Sequence, residues 1–277
     1  MRGPAAPIPL MLRAMSERFE VMPGAEPWSS PGSGSRSGIG IVVSHGFSGN
    51  PTATRSLGEA LATRGFAVEV IRLPGHGTHW RDMLSVRYAD WRWEMDRALG
   101  DLVRRGKRAI LVGLSMGGTI ALDVACARPD QVAGVVPINC TILTREGFLA
   151  RAAPVLEHVL PVVPAGAAGL IKNDIAKGGE EHAYEVVATK AGNSFLKQLP
   201  RIRAGLETLR VPVLVAYSPQ DHSVPAENSR ALSKMLEGRD VKELVLPRSY
   251  HVATLDHDFD LLVDEIAEFA DRVGRVS

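Results

Sequence analysis

The amino-acid sequence predicts an α/β protein: a mostly parallel central sheet flanked by helices on both faces. Two observations carry that prediction. Apolar runs rich in β-branched residues, at 39–44, 66–73, 109–112 and 132–138, alternate with amphipathic segments of helical spacing. The runs at 39–43, 109–112 and 132–138 are apolar throughout rather than at every second residue, the pattern of strands buried on both faces. A length of 277 residues and a hydrophobic content of 45% suffice for one large domain with a well-buried core.

Taken in order, the chain opens with an apolar stretch broken by Pro4, Pro7 and Pro9, too short and interrupted for a secretory signal. Residues 1–16 are expected to form an extension, and 17–277 a single domain. A short strand is expected within 17–23, then a polar Gly/Ser loop over 29–38. Ile39 to Ser44 is the next strand and runs into His45-Gly46-Phe47-Ser48-Gly49-Asn50-Pro51. Thr52 is placed to cap the following helix, whose apolar stripe includes Leu57 and Leu61. The strand Phe66 to Leu73 ends at Pro74-Gly75-His76-Gly77. A helix from about Val86 to Arg105 follows, with Trp80, Trp91 and Trp93 expected to pack it onto the sheet. After the strand at 132–138 the alternation stops. Residues 141–208 hold no good strand pattern, many alanines, and Pro154, Pro161 and Pro164 within apolar sequence. This reads as a helical cap, inserted over a site after the sixth strand. The alternation resumes with a strand at 211–217, a helix near 226–236 and a strand at 243–246. In the closing helix Phe259, Leu262, Val263, Ile266, Phe269 and Val273 share one face.

The strand at 109–112 leads into Gly113-Leu114-Ser115-Met116-Gly117, a G-x-S-x-G pentapeptide, and 119–125 then reads as helix. Strand, tight turn and helix together are the setting in which such a serine becomes a nucleophile. A serine hydroxyl is weakly nucleophilic at neutral pH, so a base must take its proton and a third group must orient that base. With this motif the acid and then the histidine follow in the chain, at the carboxyl ends of later strands. Asp221 follows the strand that ends at Tyr217, and His251 follows the strand that ends at Leu246. Alone, the first fits a turn aspartate and the second a packed histidine. Together, in that order, they make Ser115, Asp221 and His251 the candidate catalytic residues. His222 and His257 compete for the role of base, but one adjoins the acid and the other begins the last helix. The main-chain N–H groups of Met116, at a helix N-terminus, and Phe47, in the loop after the earlier strand, are the candidate oxyanion donors.

Several classes are disfavoured. The net charge is +1 and no Lys/Arg cluster forms a nucleic-acid footprint. Cys126 and Cys140 lack metal-type or C-x-x-C spacing and do not make a disulfide framework. His76 and His79 have no third ligand cluster, and Gly38-Ile39-Gly40 precedes its strand, so neither a metal nor a dinucleotide cofactor is expected. No apolar run reaches the roughly eighteen residues of a membrane span. The expectation is a soluble cytoplasmic protein.

The chain resembles the α/β-hydrolases, and among them the bacterial monoacylglycerol lipases and small carboxylesterases. The resemblance runs from about Met15 onward. It rests on His45-Gly46-Phe47-Ser48-Gly49, Leu73-Pro74-Gly75-His76-Gly77-Thr78-His79, the segment 113–119, Val136-Pro137-Ile138-Asn139 and Ser249-Tyr250-His251-Val252-Ala253-Thr254-Leu255-Asp256. It implies the α/β-hydrolase fold, a cap that opens over an acyl tunnel, and a small polar pocket for glycerol. By the same resemblance Glu181 contacts the glycerol head, or Glu180 if the alignment slips by one residue. The apolar gate falls at Leu170 or Ile171. Residues 141–170, rich in alanine and proline, depart from the family pattern. The implied activity is hydrolysis of monoacylglycerols through an acyl-enzyme on Ser115, without a cofactor, and with transient membrane-surface contact through the cap. A short-chain carboxylesterase, an acyl thioesterase and a catalytically silent binding protein of the same fold are the alternatives.

Overall fold

The structure is a computed structural model that describes residues 19–143, 157 and 159–274. The expected extension over 1–16 lies outside these residues, as do 144–156 and 158 of the expected cap. The strands of the central sheet are β1 (Trp28–Ser30), β2 (Ile39–Ser44), β3 (Ala67–Ile71), β4 (Arg108–Leu114), β5 (Val132–Ile138), β8 (Val213–Tyr217) and β9 (Val241–Val245). They lie in the order β1-β3-β2-β4-β5-β8-β9. Only β1 runs antiparallel to its neighbour; every other pairing in this sheet is parallel.

Continuous apolar strands are needed because helices cover both faces. On β4, Ala109 and Leu111 point into one core cluster, whereas Ile110, Val112 and Leu114 point into the other. The first cluster is closed by α2 (Tyr88–Arg104) and α3 (Met116–Ala127), and the second by α1 (Arg55–Thr63) and α7 (Phe259–Gly274). The apolar face read for the last helix is the face it buries, through Leu262, Val263, Ile266, Phe269 and Val273. Trp91 is fully buried and Trp80 packs against the same cluster, whereas Trp93 is half-buried and belongs to neither.

Three expectations are corrected. Residues 19–23 hold no strand, and pairing begins only at Trp28. Met22 and Ala25 are tied into a turn, the Met22 N–H donating to the Gly77 carbonyl, so the chain becomes extended only beyond it. The insertion follows the fifth strand of the described chain, not the sixth. Thr52 does not cap the helix. Asn50 caps a short turn at Pro51–Ala53 by accepting the Thr52 N–H at 2.9 Å, and the Thr52 hydroxyl instead donates to the Glu181 carbonyl at 2.8 Å.

The described part of the insertion is not wholly helical. It contains an antiparallel ribbon, β6 (Val162–Pro164) with β7 (Val186–Ala188), in which Val162 faces Ala188. Strands of three residues are too short for their periodicity to be read. Helices α4 (Thr189–Leu196) and α5 (Leu199–Gly205) follow, and α6 (Glu227–Met235) lies after β8. Arg201 of α5 donates twice to buried Asp123 of α3, at 2.9 and 2.8 Å. Arg92 and the Tyr88 hydroxyl of α2 complete the coordination of that carboxylate. The insertion is thus anchored to the helix that begins at the G-x-S-x-G turn.

Candidate active site

A parallel sheet delivers the carboxyl ends of its strands to one edge, and the candidate residues gather there. Ser115 joins β4 to α3 with φ 54° and ψ −121°, a strained pair of angles for a residue with a side chain. Its N–H donates to the Ile138 carbonyl at 2.8 Å. The flanking glycines are demanded by contact. A Cβ on Gly113 would lie 2.2 Å from the Gly117 carbonyl carbon, and one on Gly117 would lie 2.6 Å from the His45 carbonyl oxygen.

Phe47, Ser115, Leu170, Ile171, Glu181 and His251 line one cleft. Asp221 stands behind the histidine, its side chain fully buried. The His251 Nδ1–H donates to Asp221 Oδ2 at 2.7 Å, because an ionised carboxylate can only accept. The other oxygen, Oδ1, accepts from the Ser223 and Val224 N–H groups at 2.8 and 2.7 Å, which fixes the carboxylate in place. With Nδ1 engaged, Nε2 is the nitrogen left to exchange a proton. Burial alone pulls the His251 pKa down, but the Asp221 charge and hydrogen bond outweigh it, helped by Glu181 and Asp174, and hold it above the ordinary value.

The loop after β2 carries Ser48 at φ 61°, and the Ser48 carbonyl accepts the Tyr184 N–H at 3.0 Å. Neither the Phe47 nor the Met116 N–H donates to an acceptor among the described residues. The Phe47 ring is held by Trp91 and His76, at centroid distances of 5.5 and 6.1 Å. His45 and His76 are fully buried and neutral behind this loop. Burial lowers the His45 pKa to about 4 and that of His76 well below the usual value.

Of the two glutamates, Glu181 lines the cleft and is 9% exposed, whereas Glu180 is exposed and faces His182. Glu181 Oε1 accepts the Asn173 N–H at 3.2 Å, and the Glu181 N–H donates to Asn173 Oδ1 at 3.0 Å. Burial raises the Glu181 pKa, a shift moderated by His251 and by the Asn173 N–H. Leu170 is half-buried and Ile171 is 48% exposed at the mouth of the cleft.

The structure gives a part to residues that sequence reasoning quoted only within motifs. Asn139, with φ 46° at the end of β5, donates from Nδ2 to the His251 carbonyl at 2.8 Å and accepts the Ser218 N–H at 2.8 Å. It therefore joins the acid loop to the histidine loop. Its position at a strand end on the active edge was the available signal. Asp256 accepts four N–H groups, from Tyr250 and His257 beside the histidine and from Ala176 and Lys177 in the insertion.

Comparison with known proteins gives the family. Residues 38–258 match the family model described as serine aminopeptidase, S33. A thermostable monoacylglycerol lipase of Bacillus sp. (strain H-257) is 32% identical, the alignment covering 92% of this chain and 98% of that protein. The solved structure of a metagenome-derived lipolytic enzyme superposes with a TM-score of 0.82 at 33% identity, covering 91% of this chain and 100% of that one. The monoacylglycerol lipase of Paleococcus ferrophilus shares the fold, with a TM-score of 0.71 at 22% identity over 88% of this chain and 96% of its own. No helix among the described residues is long and apolar enough to cross a membrane. The chain belongs to the serine aminopeptidase S33 family of α/β-hydrolases and is a serine carboxylic ester hydrolase of the lipase and esterase type.

Proposed function

We propose that this enzyme cleaves monoacylglycerols to a fatty acid and glycerol, with Ser115 as nucleophile, His251 as base and Asp221 as its orienting acid. The observation that carries the substrate is Glu181, a buried carboxylate that shares one cleft with Ser115 and His251. An acceptor there suits an ester whose alcohol carries free hydroxyl groups, which can donate to it. The similarity to a monoacylglycerol lipase at 32% identity supports the same reading.

In this mechanism His251 Nε2 takes the Ser115 proton as Oγ attacks the ester carbonyl, and Asp221 stabilises the imidazolium. The Phe47 and Met116 N–H groups bind the oxyanion, a contribution of about 3 kcal/mol per donor. The intermediate collapses, the ester C–O bond breaks, and His251 returns its proton to the departing glycerol oxygen. Water, deprotonated by the same histidine, then attacks the acyl-enzyme and releases the fatty acid and free Ser115. Val159, Leu160 and Ile171 are exposed on the insertion and supply an apolar surface for transient contact with lipid, which vesicle flotation tests.

The deciding experiment is a hydrolysis panel of mono-, di- and triacylglycerols, p-nitrophenyl esters and acyl thioesters, with Ser115→Ala and Glu181→Ala beside wild type. Ser115→Ala should abolish turnover and labelling by a fluorophosphonate probe. Glu181→Ala should lower kcat/KM for monoacylglycerols about 10- to 100-fold, the worth of a hydrogen bond to a charged group, and spare p-nitrophenyl butyrate. If short esters or thioesters are preferred and Glu181→Ala is neutral, the enzyme is a general carboxylesterase or a thioesterase instead.

A further inference from the structure

Asp174 lies in the insertion, yet its carboxylate is 4% exposed and is turned toward the two loops that carry Asp221 and His251. Oδ2 accepts the His251 N–H at 3.3 Å and the His222 N–H at 3.1 Å. Oδ1 accepts His222 Nδ1–H at 2.8 Å, and the Asp174 carbonyl accepts the Val252 N–H at 3.0 Å. One carboxylate from the insertion therefore holds the main chain of the base and that of the residue after the acid.

We propose that Asp174 is a positioning residue: it locks the His251 main chain and the Asp221 loop together, so that seating of the insertion and competence of the base are a single event. The inference rests on the reading of Ser115, Asp221 and His251 as the reacting group. Asp174 also acts through charge. The His251 imidazole faces Asp221 from the loop after β8 and Glu181 and Asp174 from the insertion, and all three favour its protonated form. Lys172 faces Glu181, and His222 faces Asp174 with its ring packed edge-on against Tyr250.

The test is the pH dependence of kcat and kcat/KM for p-nitrophenyl butyrate in wild type, Asp174→Asn, Asp174→Ala and His251→Ala. Asparagine keeps an acceptor for both N–H groups and can donate to His222 Nδ1, so it removes the charge and preserves the hydrogen-bond pattern. Asp174→Asn should move the acid limb to lower pH by at least about 0.3 unit, because one of the charges favouring the imidazolium is gone. Asp174→Ala should lower kcat about 10- to 100-fold with little change in KM, as expected for a lost hydrogen bond to a charged group.

Rates are referred to sites titrated with the fluorophosphonate probe at each pH, so instability cannot mask the result. An Asp174→Ala enzyme with wild-type kcat overturns the positioning role, and an Asp174→Asn profile that superimposes on wild type overturns the role of charge. Should Asp174→Ala not fold at all, wild-type kcat in Asp174→Ser, too short to hold both N–H groups, overturns the proposal equally. His251→Ala separates the premises. If it is inactive while Asp174→Ala keeps wild-type kcat, only the positioning role fails; if it retains near wild-type activity, the triad reading fails first.

Discussion

Replacing Gly113 with alanine should unfold the site, not merely slow it. The added Cβ would lie 2.2 Å from the Gly117 carbonyl carbon, 2.3 Å from its oxygen and 2.4 Å from the Gly118 nitrogen, where ordinary contact begins at 3.4 Å. The overlap is at least 1 Å with each of three main-chain atoms in the first turn of α3. Neither partner can yield: β4 is bonded on both sides, to β2 and β5, and α3 is buried over most of its length. Overpacking against movable side chains costs about 1–3 kcal/mol, so this contact should cost about 4 kcal/mol or more. For a chain of this size that lowers Tm by about 10 °C. Gly46→Ala is the internal control. Its Cβ would sit 3.0 Å from Ser115 Cβ and 3.6 Å from Ser115 Oγ, a crowding that small shifts relieve. It should melt within about 3 °C of wild type yet lose roughly ten-fold in kcat/KM, because a misplaced nucleophile is costly. Thermal melting and p-nitrophenyl butyrate turnover, measured on both variants, separate the two effects. Wild-type melting in Gly113→Ala, or wild-type turnover in Gly46→Ala, would refute this account of the turn.

Acid should destabilise the protein well above the carboxylate range. His45 is neutral in the fold, with its pKa depressed from 6.5 to about 4, but takes a proton in the unfolded chain. Its contribution is therefore intact above pH 6.5 and is lost as pH falls, at a cost of about 2 kcal/mol by pH 5. His76 acts with the same sign, His251 with the opposite one, and His76→Phe should recover part of the Tm lost between pH 7 and pH 5. In activity, kcat/KM should decline on the acid side with a midpoint above 6.5, since the base must be neutral and its pKa is raised; a midpoint below 6.5 would contradict the site's electrostatics. Asp123→Ala would leave Arg92, Arg201 and the Tyr88 hydroxyl around an empty acceptor position and should cost about 3–5 kcal/mol by denaturant titration. Tyr88→Phe removes only one donor to that carboxylate and should cost about 1 kcal/mol in the same titration.

What could be read from the chain, and what could not, divides along physical lines. Strands β2, β4 and β5 announce themselves because burial on both faces leaves polar residues only at strand ends, Ser44 of β2 and Arg108 of β4. Asp221 and His251 were legible for a topological reason. A parallel sheet sends every strand's carboxyl end to the same edge, so residues 106 and 136 positions beyond Ser115 reach the edge it occupies once the strands are identified. Short elements escaped: β1, β6 and β7 have three residues each, and Asn50 rather than Thr52 won the cap because Pro51 fits the first position of that turn. The ties between loops escaped for a deeper reason. Asp174 and Asp256 act by accepting main-chain N–H groups, which every residue except proline carries, so their partners leave no mark in the sequence. Asp174 reaches His251 across 77 positions, and nothing in the type of residue at 251 asks for an aspartate at 174. Candidates for the reacting side chains can be found by their chemistry. The carboxylates that tie their loops together are visible only once the chain is folded, because what they recognise is the backbone.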